Sequence, residues 1–119
     1  MKLLSWLLQN RHPQPPASLS VDAVGVCYRP FRGEEVRIRW GELEEVAIET
    51  TNQGPFAEDF FAVLKAPAQT LRIPQEVNGF ELLLQYMKEL PGFDSEAVVE
   101  ATGSTGNATF RCWKRAAPR

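Results

Sequence analysis

Between Glu34 and Leu90 four short, mostly alternating strand patterns are followed by one amphipathic helix pattern, and this order limits the fold more than any other feature. From Glu35 the alternation is clean: Val36, Ile38 and Trp40 point one way, and Glu35, Arg37 and Arg39 the other. Gly41-Glu42 turns the chain, after which Val46 and Ile48 face inward and Glu45, Ala47 and Glu49 outward. Paired as a hairpin, these two strands place Arg37 and Arg39 on the same outer face as Glu45 and Glu49. Asp59 to Ala66 is mostly apolar, the mark of a strand covered on both faces. Thr70 to Ile73 is a short strand that Pro74 stops. Asn78 is the expected helix cap. Phe80, Leu83, Leu84, Met87 and Leu90 then form one apolar stripe, and Pro91-Gly92 ends the helix.

The flanks extend this unit. Ser18 to Arg29, with Val21, Val24 and Val26, reads as one bent strand or a tight pair, and Pro30 to Gly33 as the next turn. After Pro91, Ser95 is the expected cap of a second short helix through Ala101. Ala108 to Lys114 reads as a last strand, with Phe110, Cys112 and Lys114 set against Thr109, Arg111 and Trp113. Residues 1–11 form an expected amphipathic helix, with Leu3, Leu4, Leu7 and Leu8 on one side and Trp6 at the border. That helix either docks on its own domain or touches a membrane surface, a contact that Lys2 and Arg11 favour. It is far too short to span a bilayer, which takes about 20 apolar residues. Residues 12–17 are a proline-rich linker. Residues 18–119 are then a single domain, of which 91–119 form a C-terminal extension.

Charge and composition narrow the function. With a net charge of −2 over 119 residues, the chain as a whole is not built for nucleic acid, and none is expected as a partner. Cys27 and Cys112 fit neither a disulfide scaffold nor a zinc pattern, so both are read as reduced residues on strands, with one disulfide the alternative if the first and last strands are neighbours, and the expected location is cytoplasmic. Catalysis is poorly served. The single histidine, His12, sits in the linker, and the glycines match no phosphate loop or dinucleotide fingerprint. Adjacent pairs such as Glu34-Glu35 point to opposite faces of a strand and do not form a shared acid–base site by themselves. No enzyme activity, metal or cofactor is expected.

Two groups of residues remain as binding candidates. Glu58 and Asp59 sit at a loop-to-strand boundary beside Phe56, and with Trp113 they are candidates for contact with a protein partner. Arg29, Arg32, Arg37 and Arg39 surround the turn between two early strands and are candidates for holding an anion, such as a lipid head group or another phosphate. Surface pairing of these arginines with Glu45 and Glu49 is the competing reading. Eight of the fifteen acidic residues fall between Glu34 and Asp59, a stretch that suits a basic partner.

The segment from Ser18 to Leu90 resembles bacterial pleckstrin-homology-like domains. Val21-Asp22-Ala23-Val24-Gly25-Val26 matches their opening strands, Val36-Arg37-Ile38-Arg39-Trp40-Gly41-Glu42-Leu43 a strand and turn, and the helix after Ile73-Pro74 the closing helix. Gly41 stands where such domains often carry an acid. Leu90 to Ala97 together with Phe110-Arg111-Cys112-Trp113 is similar to a group of small bacterial proteins. The resemblance implies an α+β fold: a strongly bent antiparallel sheet or partly open barrel closed by a helix, with a helix–strand extension that could cover the usual binding groove. It also implies a non-enzymatic platform. The expected function is therefore a protein-interaction module, of which a toxin-neutralising immunity protein is one form. A peripheral module binding anionic lipid is the alternative.

Overall fold

The computed structural model describes residues 17–52 and 60–116. The helix expected over residues 1–11 lies outside them. Ser18 to Arg29 folds as the tight pair, strands β1 (Ser18–Val21) and β2 (Gly25–Arg29), in antiparallel register with Ser20 opposite Cys27. Asp22 makes the turn. Its Oδ1 accepts the backbone N–H groups of Val24 and Gly25 at 2.9 and 3.1 Å, the local bonding that lets an aspartate replace a turn of backbone. Strand β3 (Val36–Arg39) adds to β2 and completes a three-stranded sheet in the order β1-β2-β3.

The chain then leaves this sheet. A 3-10 turn over Trp40–Glu42 redirects it into β4 (Glu45–Thr50). Strands β5 (Phe60–Ala66), β6 (Gln69–Pro74) and β7 (Ala108–Lys114) join β4 in a second antiparallel sheet ordered β6-β5-β4-β7. The fold is therefore α+β as expected, but built on two sheets, and it is not a closed barrel. Two helices, α1 (Phe80–Lys88) and α2 (Ser95–Thr102), lie in the connection from β6 to β7.

The hairpin expected between residues 35–40 and 45–49 does not form, because β3 and β4 belong to different sheets. Trp40 explains the break. Its backbone N–H donates to the Val24 carbonyl at 3.1 Å, and its indole Nε1–H to the Asp22 carbonyl at 2.8 Å. Both bonds tie the turn back to the β1–β2 corner, and Leu43 then enters the core with no exposed surface. Consequently Glu45 and Glu49 meet other cations. Lys65 Nζ lies 3.4 Å from Glu45, and Arg72 grips Glu49 through Nε at 2.7 Å and Nη2 at 2.5 Å.

One continuous core takes Val26 and Ile38 from the first sheet, Ile48, Leu64 and Ile73 from the second, and Leu83 and Met87 from α1. β5 is buried on both faces through Leu64, as its unbroken apolar run implied. On its outer side the Arg72 guanidinium sits 3.6 Å from the centroid of the Phe61 ring. At the helix starts the expected caps shift by one residue. Gly79, at φ +100°, precedes α1 in place of an Asn78 cap, a conformation glycine adopts without a Cβ penalty. Asp94, rather than Ser95, caps α2, accepting the N–H groups of Glu96 and Ala97 at 3.0 and 3.2 Å.

A β-bulge lies in β7. Opposite β4 the register steps from Val46–Trp113 to Ala47–Arg111, which leaves Cys112 as the extra residue. The bulge breaks strict alternation, so Trp113 falls on the same side as Phe110, which pairs with Ile48. Trp113 is consequently only 7% exposed, and its indole N–H donates to the Pro91 carbonyl at 2.8 Å. Among the described residues, no helix is long and apolar enough to cross a membrane.

Candidate anion-binding face

The first sheet has one face in the core and one in water. Val26, Tyr28 and Ile38 fill the inner face. Alternation along each strand puts their neighbours outside: Ser18 and Ser20 on β1, Gly25, Cys27 and Arg29 on β2, Arg37 and Arg39 on β3. The register aligns these in rows. Ser20, Cys27 and Arg37 lie side by side across the three strands, Gly25 lies beside Arg39, and Ser18 lies beside Arg29.

Small residues in the middle of such a face leave a depression. A trough of about 110 Å³ runs over the sheet, lined among others by Ser20, Gly25, Cys27, Arg37 and Arg39. Its floor is bare for a structural reason. A Cβ on Gly25 would lie 2.3 Å from the Ile38 carbonyl oxygen, so no other residue fits there without moving β3. Arg37 and Arg39, both exposed, form one wall, and Arg29 continues the face two residues beyond Cys27. Asp22 closes one end, with its carboxylate already accepting the two amides of its turn. Glu35, two residues before Arg37, is the acid that follows Arg37 and Arg39 in the alternation along the chain.

None of Arg29, Arg37 and Arg39 forms an ion pair among the described residues, whose ion pairs are Lys65–Glu45 and Arg72–Glu49. The second sheet has thus taken the two carboxylates that the sequence offered to Arg37 and Arg39. A guanidinium presents fixed N–H donors in a plane that matches carboxylate and phosphate oxygens, so two or three of them along one trough suit an oxyanion.

Of the four arginines marked in the sequence, the structure brings three onto this face. Arg32 sits apart in the Pro30–Gly33 turn, at φ +64°, with its guanidinium 5.3 Å from the Phe31 ring centroid. Ser20, Gly25 and Cys27 were not marked. Their alternation with Val21, Val26 and Tyr28 was readable, but their place beside the arginines depends on the pairing register. Phe56, Glu58 and Asp59 lie outside the described residues. Trp113, the remaining candidate for partner contact, is a core residue.

Cys27 and Cys112 are both free. Burial pushes the Cys112 thiol up to about 11, the Asp94 carboxylate adds to this, and a hydrogen bond with the Ile48 backbone opposes it. Comparison of the chain with protein-family models, with curated proteins and with solved structures gave no match.

Proposed function

We propose that this chain is a non-enzymatic binding module that holds an acidic segment of a partner protein on the outer face of its first sheet. The observation that carries this reading is Arg37 and Arg39 lining a small-floored trough, with Arg29 farther along the same face and none of the three guanidinium groups in an ion pair among the described residues. The partner's charge is the reverse of what the acidic stretch suggested, because Glu45 and Glu49 in that stretch are neutralised by Lys65 and Arg72. A platform of the pleckstrin-homology-like kind fits this role, and a toxin-neutralising immunity protein is one instance of it.

Three basic side chains alone make a weak membrane anchor. Each basic side chain near a lipid surface contributes about 1 kcal/mol, so three supply about 3, short of the roughly 4 kcal/mol of even a millimolar complex. A partner carboxylate or a lipid phosphate seated in the trough adds charge-assisted hydrogen bonds, at about 1.5–3 kcal/mol each, and the peptide and vesicle arms of the test below separate the two.

Titration of the full chain with a hexaglutamate peptide tests the proposal. Binding that falls with added salt is expected, weakened about tenfold or more in Arg37→Glu/Arg39→Glu. Arg111→Glu makes the same kind of charge change on an exposed residue of the other sheet, and it should leave the affinity unchanged. Equal loss in both variants would overturn the reading. So would phosphatidylserine vesicles that bind the chain through Arg37 and Arg39 while the peptide does not.

A further inference from the structure

We infer that the group seated in the trough is a phosphorylated side chain of the partner, a phosphoserine or phosphothreonine, in preference to a plain carboxylate. The inference rests on the reading of the first sheet as the binding face, and it narrows what is held there. Size is the first constraint. At about 110 Å³ the trough is well below the roughly 300–1,000 Å³ of sites that enclose a whole small molecule, so it admits the end of one side chain. The same constraint speaks against a ring-bearing lipid head group.

Charge is the second constraint. Arg37 and Arg39 both line the trough and stand two residues apart on β3, roughly 6.6 Å along the strand, close enough for both guanidinium groups to grip one group between them. Neither is in an ion pair among the described residues. One carboxylate carries a single charge and is satisfied by one guanidinium fork, which leaves the second arginine unbalanced. A phosphoryl group carries about −1.5 to −2 at neutral pH and offers three acceptor oxygens, which matches two forks. Donors from the floor complete the set: the Ser20 hydroxyl and the Cys27 thiol lie in one row with Arg37.

The surrounding charges fix where the group sits. Asp22 stands at the Gly25–Arg39 end, with its backbone N–H donating to the Gly25 carbonyl at 3.0 Å and its carboxylate turned onto the Val24 and Gly25 amides. Glu35 precedes Arg37 by two residues, and Arg29 lies two residues beyond Cys27 on the same face. Seated over the Ser20–Cys27–Arg37 row, a phosphoryl group is one row removed from Asp22 and next to the row of Arg29.

Titration of the full chain with three peptides tests this. One is hexaglutamate, one is hexaglutamate with its third residue replaced by phosphoserine, and one is heptaglutamate, whose net charge nearly equals that of the phosphopeptide. The phosphopeptide is expected to bind at least about tenfold more tightly than heptaglutamate. Arg37→Lys/Arg39→Lys keeps both charges but removes the planar forks, and it should bring that ratio close to one while heptaglutamate binding stays within about threefold. Equal binding of phosphopeptide and heptaglutamate by the unaltered chain would overturn the inference and leave the acidic-segment reading standing. A preference that survives in the lysine variant would also overturn it, because the phosphoryl group would then be held elsewhere. Failure of all three peptides to bind would overturn the acidic-segment reading itself. Phosphatidic acid vesicles that bind through Arg37 and Arg39 more tightly than the phosphopeptide would assign the phosphoryl group to a lipid and reject the phosphorylated partner.

Discussion

Trp113→Ala should lower the unfolding free energy by about 3–5 kcal/mol in urea titration, a large share of the 5–15 kcal/mol typical of a whole domain. Two losses add up. The substitution empties the space of an indole that is 7% exposed, and it removes the donor that satisfies the Pro91 carbonyl. Trp113→Phe separates them, since it keeps most of the ring volume but not the donor, and its cost should fall well below that of the alanine variant. The pair of variants also checks the bulge. Without the extra residue at Cys112, strict alternation would carry Trp113 to the opposite side of the sheet from Phe110. A tryptophan lying on the solvent side could be truncated with a change of only about 0.5 kcal/mol.

Leu83→Ala should cost about 2–5 kcal/mol by the same measurement. Leu83 has no exposed surface and lies with Phe80 and Met87 on the buried face of α1. A nine-residue helix has little stability of its own, so α1 depends on this contact with the sheets rather than on its propensity. Gln85→Ala, two positions on and exposed, is the control, with an expected change within about 0.5 kcal/mol. Similar costs for the two variants would show that α1 is not held by its apolar stripe.

The strands, the helices and the α+β class could be read from residue patterns because each is a local property. Val36, Ile38 and Trp40 alternate whatever the strand pairs with, and Phe80, Leu83 and Met87 repeat at helical spacing whatever lies beneath them. Partnership was less legible. The hairpin of residues 35–40 with 45–49 was the simplest pairing for neighbouring strands, and the Trp40 bonds to Val24 and Asp22 override it with contacts about 16 and 18 residues away in sequence. The assignment of Arg37 and Arg39 to Glu45 and Glu49 fell with that hairpin. Trp113 was ambiguous for a different reason: a bulge reverses the facing of every residue beyond it and leaves no mark in composition.

The candidate site was half visible. Arg29, Arg37 and Arg39 stood out by charge. The trough between them rests on Gly25, Cys27 and Ser20, residues with no chemical signal of their own that became relevant only when the register set them beside the arginines. Sequence reasoning finds side chains that bind. It does not find the empty space they bind around, because that space belongs to three strands at once.

Chemical-shift mapping of the full, isotope-enriched chain during addition of hexaglutamate tests the central claim most directly. If the first sheet holds an acidic partner, the shifts will gather at Ser20, Gly25, Cys27, Arg37 and Arg39, and they will vanish in Arg37→Glu/Arg39→Glu. Shifts gathered instead at the Lys65 and Arg72 side of the second sheet, or no shifts at the trough at all, would contradict it.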